Sequence, residues 1–391
     1  MDLARLVAVV RSAFAGAVSR FDLTERVRRA LAGVNAARVL AVGKAGPAML
    51  AGARRDGQTA LLIVPDETPI GWVEPTTRVM FSDHPLPTER SVRAADAAFA
   101  FVAGGDVVAL VSGGASSLLA APAPGLTLGE KRAVTDALIR SGASIAEINL
   151  VRRHLSRIKG GGLGAAASGR VLTLIASDVL GGRAHDVGSG PTVVDPTSVE
   201  EAREVLGRYG LDAPLVATVG PKHPRAAALE HRFVAEPEDL SALVRAGLEA
   251  EGLTVFDMPS TGDDVESLSR AYAGLAAGLN PGQALVRSAE PTLTVPEKRG
   301  KGGRSTHLAA LAAAILPDDV VLLCGASDGA DGASGTAGAV VTKAALAKHD
   351  AAGAIRAFDS GSLHVAAGTH LDTRGPTGLN LCDVHVLARA G

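Results

Sequence analysis

The sequence has little cysteine, few aromatic residues and no long apolar run. Its two cysteines, Cys324 and Cys382, are far apart and form no CxxC motif, which argues against a disulfide framework and a zinc site. The net charge is −2 and there is no basic block, so nucleic-acid binding is not predicted. No apolar stretch approaches the length of a membrane span. We therefore expect a cytoplasmic protein that binds neither membranes nor nucleic acids.

What the sequence does contain is a series of short aliphatic runs that alternate with helical patterns, which is typical of βαβ units. The runs are apolar throughout, so we predict strands buried on both faces of a parallel sheet. The clearest predicted strands are Val39–Val42, Leu61–Val64, Arg78–Phe81, Val107–Val111 and Val171–Ala176. Because aromatics make up only 3% of the residues, aliphatic and alanine side chains must fill the core.

A short polar segment with prolines, Gly220–Arg225, is interpreted as a linker. It predicts two α/β domains: a Rossmann-like parallel-sheet domain over residues 1–225, and a mixed α/β domain over residues 226–391. The strands predicted for the second domain are His231–Val234, Thr254–Asp257, Ala284–Arg287, Thr292–Val295 and Val320–Cys324.

Glycine-rich loops follow two strands of the first domain, where open α/β sheets bind ligands. Lys44 lies in Gly43–Gly46, directly after the first strand. Adjacent glycines let a backbone approach a ligand closely, and successive N–H groups can form an anion nest. The candidate nest comprises Ser112, Gly113, Gly114, Ala115 and Ser116. The alternatives are an ordinary turn with a solvated lysine and a flexible loop.

Two further candidates lie later in this domain. The segment Arg157–Gly162, which includes Lys159, nearly fits a dinucleotide fingerprint. That motif requires a preceding strand and a helix is predicted here, so we reject it and retain a phosphate site as a hypothesis. Asp178 follows a strand and is placed to hold a metal or accept a substrate proton, although a loop-ordering cap is the common alternative.

In the second domain, a cationic loop precedes a predicted helix from Ser305 to Leu316. Cations oppose the dipole at a helix N-terminus, so a phosphate ligand is the economical explanation for Gly300, Lys301, Gly302, Gly303 and Arg304; a surface charge run is the alternative. Asp328 and Asp331 lie three residues apart in a glycine loop and could bind Mg²⁺, although an Asp-Gly turn is equally ordinary.

Cationic glycine loops and aspartates at strand ends together indicate phosphoryl transfer, which depends on positioning and charge stabilisation. The sequence contains no GxxxxGK[ST] and no HRD or DFG set, so it belongs to neither large kinase class.

These segments, taken in order along nearly the whole chain, resemble the class II glycerate kinases, also called glycerate 2-kinases. The segments that carry the resemblance are Val42–Ala45, Asp83–Pro87, Ser112–Ser116, Glu147–Asn149, Arg152–Gly162, Ser177–Val179, Ser189–Val193, Gly300–Arg304, Ser327–Gly332 and Gly375–Asn380.

The resemblance implies an N-terminal kinase domain and a C-terminal MOFRL domain with an active site in the cleft between them. It implies transfer of the γ-phosphoryl of ATP, with Mg²⁺, to D-glycerate or a close hydroxy acid, usually on the 2-hydroxyl. Lys44 and Arg304 match expected functional residues. Asp178 is the candidate base, and Asn380 is a nucleotide-binding candidate. A homodimer is left open.

The chain departs from the family pattern after Arg304, where Ser305 and His307 replace an asparagine and a glutamate, and again near Gly335. Two other functions therefore stay open. One is an NAD(P)H-dependent hydroxypyruvate reductase, a name that family members have carried. The other is a non-catalytic protein that binds a phosphorylated metabolite.

Overall fold

The computed structural model describes residues 1–35, 37–66, 68–71, 73–372 and 377–391. It divides into two compact units. Helix α1 (Leu3–Arg20) lies in what we call the mixed-sheet unit, which comprises Met1–Asp22 and Glu236–Gly391. The parallel-sheet unit comprises Leu23–Ala235. None of the described helices is long and apolar enough to cross a membrane.

The parallel-sheet unit contains six strands in the order β3-β2-β1-β4-β5-β6, all parallel. The strands are β1 (Arg38–Val42), β2 (Thr59–Pro65), β3 (Thr77–Ser82), β4 (Val107–Ser112), β5 (Val171–Ala176) and β6 (Leu229–Ala235). Strand β4 is buried along its whole length, as expected for a sheet covered on both faces. All five strands predicted for this domain are confirmed to within two residues.

Helices cover this sheet, and several of them begin with a capping box. They are α2 (Leu23–Ala30), α3 (Gly46–Ala53), α4 (Glu89–Val102), α5 (Ala115–Leu118), α6 (Leu128–Arg140), α7 (Ile145–His154), α8 (Gly162–Ala165) and α9 (Val199–Arg208). At the start of α6, Thr127 and Glu130 form a capping box, in which each side chain accepts a backbone N–H of the other residue.

The chain order of the strands reverses between β1 and β4. From β1 the chain moves outward through β2 and β3, and it then returns to place β4 on the other side of β1. Ligands of open α/β sheets bind beyond the carboxyl ends of the strands at such a switch point. The loops Gly43–Gly46 and Ser112–Ser116 follow these two strands, so the topology supports a ligand site there.

The mixed-sheet unit has five strands in the order β10-β9-β11-β8-β7. They are β7 (Thr254–Asp257), β8 (Gln283–Ala289), β9 (Val320–Ala326), β10 (Gly338–Val341) and β11 (Asp383–Arg389). Its other helices are α10 (Pro237–Ala250), α11 (Val265–Gly278), α12 (Arg304–Ala313), α13 (Ala351–Arg356) and α14 (Ser360–Ala366). Strand β11 runs antiparallel to β8 and β9, whereas β7 and β8 are parallel. The predicted fold class, two α/β domains with a parallel and a mixed sheet, is confirmed.

Three features of the second half differ from the prediction. Strand β6, predicted for the second domain, pairs with β5 and completes the parallel sheet. The predicted strand Thr292–Val295 is wrong, because among these residues only Thr292 makes an isolated bridge, to Asp264. Two strands of the mixed sheet were not predicted, β11 at its centre and β10 at its edge.

Helix α1 packs within the mixed-sheet unit, although it begins the chain. It contacts α10, β9 and β11. A methyl group at Gly325 would lie 2.6 Å from the ring of Phe14, so glycine at this position lets the helix pack closely on β9. The contacts therefore place a unit boundary at residues 235/236 rather than 225/226, and assign residues 1–22 to the second unit.

Candidate functional site

Backbone and side-chain hydrogen bonds connect the loops that follow β1 and β4. The N–H of Lys44 donates to the carbonyl of Gly113 at 2.9 Å, and the N–H of Ala45 donates to Oγ of Ser112 at 3.1 Å. Gly43 has φ of +121°, and a Cβ there would lie 2.3 Å from Oγ of Ser112. Glycine is therefore required, both for the dihedral angle and for the close approach.

Two basic side chains flank Gly114 in the second of these loops. A Cβ at Gly114 would lie 3.2 Å from the ring of His84 and 3.4 Å from Cγ of Lys44. Partial burial and, second, the charge of Lys44 lower the pKa of His84. His84 was not singled out as a site residue, although it lies in one of the segments that carry the resemblance. The structure brings it together with Lys44 and the predicted anion nest.

Ser116, at the end of this loop, receives hydrogen bonds from two cations. Nζ of Lys159 donates to its carbonyl at 2.9 Å and to its Oγ. Nη2 of Arg152 donates to the same Oγ at 2.8 Å. Oγ of Ser189 lies 3.2 Å away. Lys159 and the Ser112–Ser116 loop, both predicted to bind substrate, are thus in direct contact. Arg152, which was not predicted as a site residue, contacts the same loop.

A third cation, Lys131 of α6, lies close to these two. Only 7% of Lys131 and 3% of Lys159 are exposed. Burial first, and the charge of Arg152 second, lower the pKa of Lys131 from 10.5 to about 7. Burial, followed by the charges of Arg152, Lys131 and Arg153, lowers the pKa of Lys159 well below its usual value. We refer to Lys131, Arg152 and Lys159 around Ser116 as the Ser116 cluster.

The glycines at positions 160–162 pack against other backbone segments. The N–H of Gly160 donates to the carbonyl of Ser189 at 3.0 Å, and that of Gly161 to Gly190 at 2.7 Å. A Cβ at Gly160 would lie 2.5 Å from Thr218. The helix that follows, α8, has only four residues. These glycines serve close packing, and their N–H groups already donate to carbonyls of the protein. A phosphate site at this cationic segment stays a prediction, and it would depend on side chains rather than on these N–H groups.

Asp178 lies in the loop after β5, the strand next to β4. It is half-buried. The sheet therefore carries Lys44, the Ser112–Ser116 loop and Asp178 on the carboxyl ends of three adjacent strands, β1, β4 and β5. The catalytic role of Asp178 stays a prediction.

The mixed-sheet unit contains a cavity of about 570 Å³ at the edge where β8 and β9 end and β11 begins. We call it the Arg304 cavity. Six predicted site residues line it: Gly302, Gly303, Arg304, Asp328, Asp331 and Asn380. Gly300 and Lys301 are not among the described residues that line it. The N–H of Lys301 instead donates to the carboxylate of Asp359 at 2.8 Å.

Arg304 is held in a network of two carboxylates. Its Nε and Nη2 donate to the two oxygens of Asp383 at 2.9 and 3.2 Å, and Nη1 donates to Glu290 at 3.2 Å. Burial alone would lower the pKa of Arg304, but Asp383 and Glu290 outweigh it and raise the pKa. Asp383 is 1% exposed and was not predicted, because it begins the strand that the sequence analysis missed.

Asp331 caps helix α12. Its two carboxylate oxygens accept the N–H groups of Ser305 and Thr306 at 2.9 and 2.8 Å. The anion that stabilises this helix N-terminus is therefore a side chain of the protein itself. Burial and the nearby charge of Asp383 raise the pKa of Asp331 to about 6, against the lowering effect of these hydrogen bonds. Among the described residues no group of three or more metal-ligating side chains occurs.

Two residues that depart from the family pattern, Ser305 and His307, are buried within this helix. Oγ of Ser305 donates to Asp383 at 2.9 Å. His307 stacks on Phe358 with 5.0 Å between ring centroids, and its Nδ1 has no hydrogen-bond partner within the described part of the chain. Of the segment Gly375–Asn380, residues Gly375 and Pro376 lie outside the described residues.

Comparison with known families and proteins agrees with these features. Residues 7–220 match a domain of unknown function, DUF4147, and residues 283–383 match the MOFRL family. A protein of Agrobacterium vitis that carries the name hydroxypyruvate reductase is 36% identical; the alignment covers 89% of this chain and 86% of that protein. The glycerate 2-kinase of Pyrococcus horikoshii is 31% identical over 68% of this chain and 66% of its own length.

The fold matches a solved structure as well. The crystal structure of glycerate kinase from Thermotoga maritima superposes with a TM-score of 0.86 at 25% sequence identity, and covers 99% of this chain and 100% of that one. The DUF4147 match alone spans more than half of the chain. The chain therefore belongs to the glycerate 2-kinase family, in which a DUF4147 domain is followed by a MOFRL domain.

Proposed function

We propose that the protein transfers the γ-phosphoryl group of ATP to D-glycerate, on the 2-hydroxyl. The observation that carries this proposal is that each unit brings predicted site residues together at the ends of its strands. The loops after β1 and β4 offer an anion-binding edge with Lys44 at the topological switch point. The Arg304 cavity, at about 570 Å³, is of the size that binds small molecules and cofactors.

The acceptor is assigned to the parallel-sheet unit. Its Ser112–Ser116 loop would bind an anionic group of the acceptor. Asp178 follows the neighbouring strand, where it would orient or deprotonate the acceptor hydroxyl. Lys44 would stabilise negative charge that develops on the transferring phosphoryl group. Transfer requires the two bound molecules to meet, and the cleft between the domains that the resemblance implies stays a prediction.

The nucleotide is assigned to the Arg304 cavity, with Gly302, Gly303 and Asn380 in its wall. Asp383 and Glu290 hold the Arg304 guanidinium in place, so it would face phosphate oxygens without reorganisation. Asp383 and Glu290 accept three of its five N–H groups, which leaves the others for phosphate oxygens.

The carboxylates of this cavity suit a Mg²⁺ ion that nucleotide phosphates would bind through most of its ligands. Such ions are bound through one or two protein carboxylates, and Asp328 lines the cavity. Asp331 is the weaker candidate, because both of its oxygens already accept backbone N–H groups. When bound, Mg²⁺ would neutralise phosphate charge.

The reductase alternative finds little support. The name comes from a relative, whereas the near-match to a dinucleotide fingerprint at Arg157–Gly162 follows helix α7 and uses its glycine N–H groups internally. A homodimer and a cytoplasmic location stay predictions.

Release of ADP on addition of D-glycerate, measured with a coupled assay, tests the proposal. We expect turnover by the wild-type protein, and a kcat about 10²-fold or more lower in Lys44→Met with an unchanged melting temperature. Lys222, an exposed lysine of the same unit, provides the control: Lys222→Met should retain full activity. Oxidation of NADH with hydroxypyruvate, without ADP release, would reverse the assignment in favour of the reductase.

A further inference from the structure

The Ser116 cluster brings together three basic side chains that carboxylates of the protein do not neutralise. In the described part of the chain, no carboxylate oxygen lies within 4.0 Å of a side-chain nitrogen of Lys131, Arg152 or Lys159. The next residue provides the contrast, because Arg153 pairs with Asp195 at 3.1 Å and with Asp186 at 3.7 Å. Burial of unpaired charge costs several kcal/mol per ion, so a cluster of this kind requires an explanation.

The hydrogen bonds that these cations make inside the protein use only some of their donors. Arg152 uses Nη2 for Ser116 and Nη1 for Asn149, at 2.8 and 3.3 Å, of the five N–H groups that a guanidinium carries. Lys159 donates twice to Ser116, which leaves its third proton when the amine is charged. The described residues include no partner for the ammonium group of Lys131. The remaining donors suit a planar, bidentate anion.

We propose that Lys131, Arg152 and Lys159 form the subsite that binds the carboxylate of the acceptor. The inference rests on the proposed function and deepens it, because it assigns the selectivity for a hydroxy acid over a neutral polyol to three named residues. Arg152 supplies the fork that a carboxylate requires, and Ser116 fixes both Arg152 and Lys159 at the end of the loop that follows β4. The hydroxyl to be phosphorylated would then lie toward Lys44, on the other side of that loop.

Proton uptake should accompany binding at this subsite. The charged and titratable groups that face it are Lys131 from α6, Arg152 and Arg153 from α7, Lys159, and, around Arg153, His185, Asp186 and Asp195. Lys131 is only partly protonated near neutral pH, since its pKa is about 7. A bound carboxylate favours the charged form of a nearby lysine, so the complex binds more protons than the free protein.

Calorimetric titration of the full-length protein with D-glycerate tests this subsite. Heats measured at about pH 7.5 in buffers of different ionisation enthalpy report the protons taken up, and we expect up to about three-quarters of a proton per glycerate. Lys131→Met should abolish most of this uptake and weaken binding at least about tenfold. Arg132→Met removes a positive charge from the exposed neighbour on the same helix, and it should leave both quantities unchanged.

A neutral isostere, glyceramide, separates recognition of the carboxylate from recognition of the hydroxyls. The wild-type protein should prefer D-glycerate by about tenfold or more, and Arg152→Met should remove that preference. Unchanged affinity and proton uptake in Lys131→Met and Arg152→Met, with normal ADP release, would overturn this inference alone. Absence of ADP release from the wild-type protein would instead reject the proposed function, and the acceptor subsite with it.

Discussion

At the scale of single residues, the basic side chains buried at the candidate site lower the stability of the ligand-free protein. Lys131 and Lys159 are almost completely excluded from solvent, and Arg152 lies beside them without a carboxylate partner among the described residues. A lysine with a strongly lowered pKa is destabilising in the free protein, because burial disfavours the protonated form that the unfolded chain retains. Residues kept in such positions are candidates for binding rather than for stability.

Substitution of Lys131 by methionine should therefore stabilise the ligand-free protein. The unfolded chain holds this proton up to a pKa of 10.5, whereas the folded protein releases it at about 7. The destabilisation is full below pH 7 and fades as the pH rises toward 10.5. Near pH 7 we expect Lys131→Met to raise the free energy of unfolding by about 4 kcal/mol, measured by urea denaturation, with little gain near pH 10.

The exposed neighbour again provides the control. Arg132→Met should change the free energy of unfolding by no more than about 0.5 kcal/mol at either pH. If Lys131→Met were less stable than the wild-type protein across this pH range, Lys131 would be a structural residue with an unrecognised partner.

At the scale of elements, the loops at the strand ends depend on glycine for shape. Gly43 combines a positive φ with a contact that leaves no space for a side chain, 2.3 Å from Oγ of Ser112. Gly57 also has a positive φ, +72°, but no atom lies within 4 Å of its hypothetical Cβ. A side chain at Gly57 would therefore meet only an unfavourable φ, whereas one at Gly43 would also clash with Ser112.

Gly57→Ala should cost about 1 kcal/mol of stability from its dihedral angle alone and leave activity intact. Gly43→Ala should push the Ser112–Ser116 loop away from Lys44, and a misplacement of about 1 Å can cost 10²-fold in rate. Circular dichroism and the coupled ADP assay on both variants make the comparison. Equal activity in the two variants would show that the loop contact plays no part in catalysis.

The elements themselves were largely predictable. The continuous apolar runs of the parallel sheet are local signals, and they predict strands β1 to β5. Strand β11 was missed because Asp383 and His385 interrupt its apolar pattern; both are buried, Asp383 against Arg304 and His385 against Tyr272 at 2.6 Å. Buried polar residues with tertiary partners carry no signal in a single sequence.

Local signals likewise decide which residues of the candidate site could be predicted. Lys44, Lys159 and Arg304 lie in glycine-rich loops and could be singled out from the sequence. Lys131 lies within a helix among ordinary helical residues, and only packing brings it near Arg152. Asp331 was singled out as a candidate Mg²⁺ ligand, but the sequence could not tell that its oxygens cap α12.

At the scale of the whole molecule, sequence families and compact units divide the chain differently. The DUF4147 match begins at residue 7, within helix α1, yet this helix packs on α10, β9 and β11 of the unit that contains the MOFRL match. The chain thus begins in one unit, builds the parallel sheet as the second, and returns to complete the first. Both units contribute predicted site residues, so the proposed reaction needs the complete chain.

The most direct test of the central claim is the phosphorus NMR spectrum of the product formed from ATP, Mg²⁺ and D-glycerate by the wild-type protein. The account predicts loss of the γ-phosphate signal and a new phosphomonoester resonance that is a doublet, because the phosphorus of a 2-phosphate couples to the single proton on C2. A triplet would place the phosphate on the 3-hydroxyl and contradict the proposed position. A spectrum without any new phosphomonoester would contradict the kinase assignment itself.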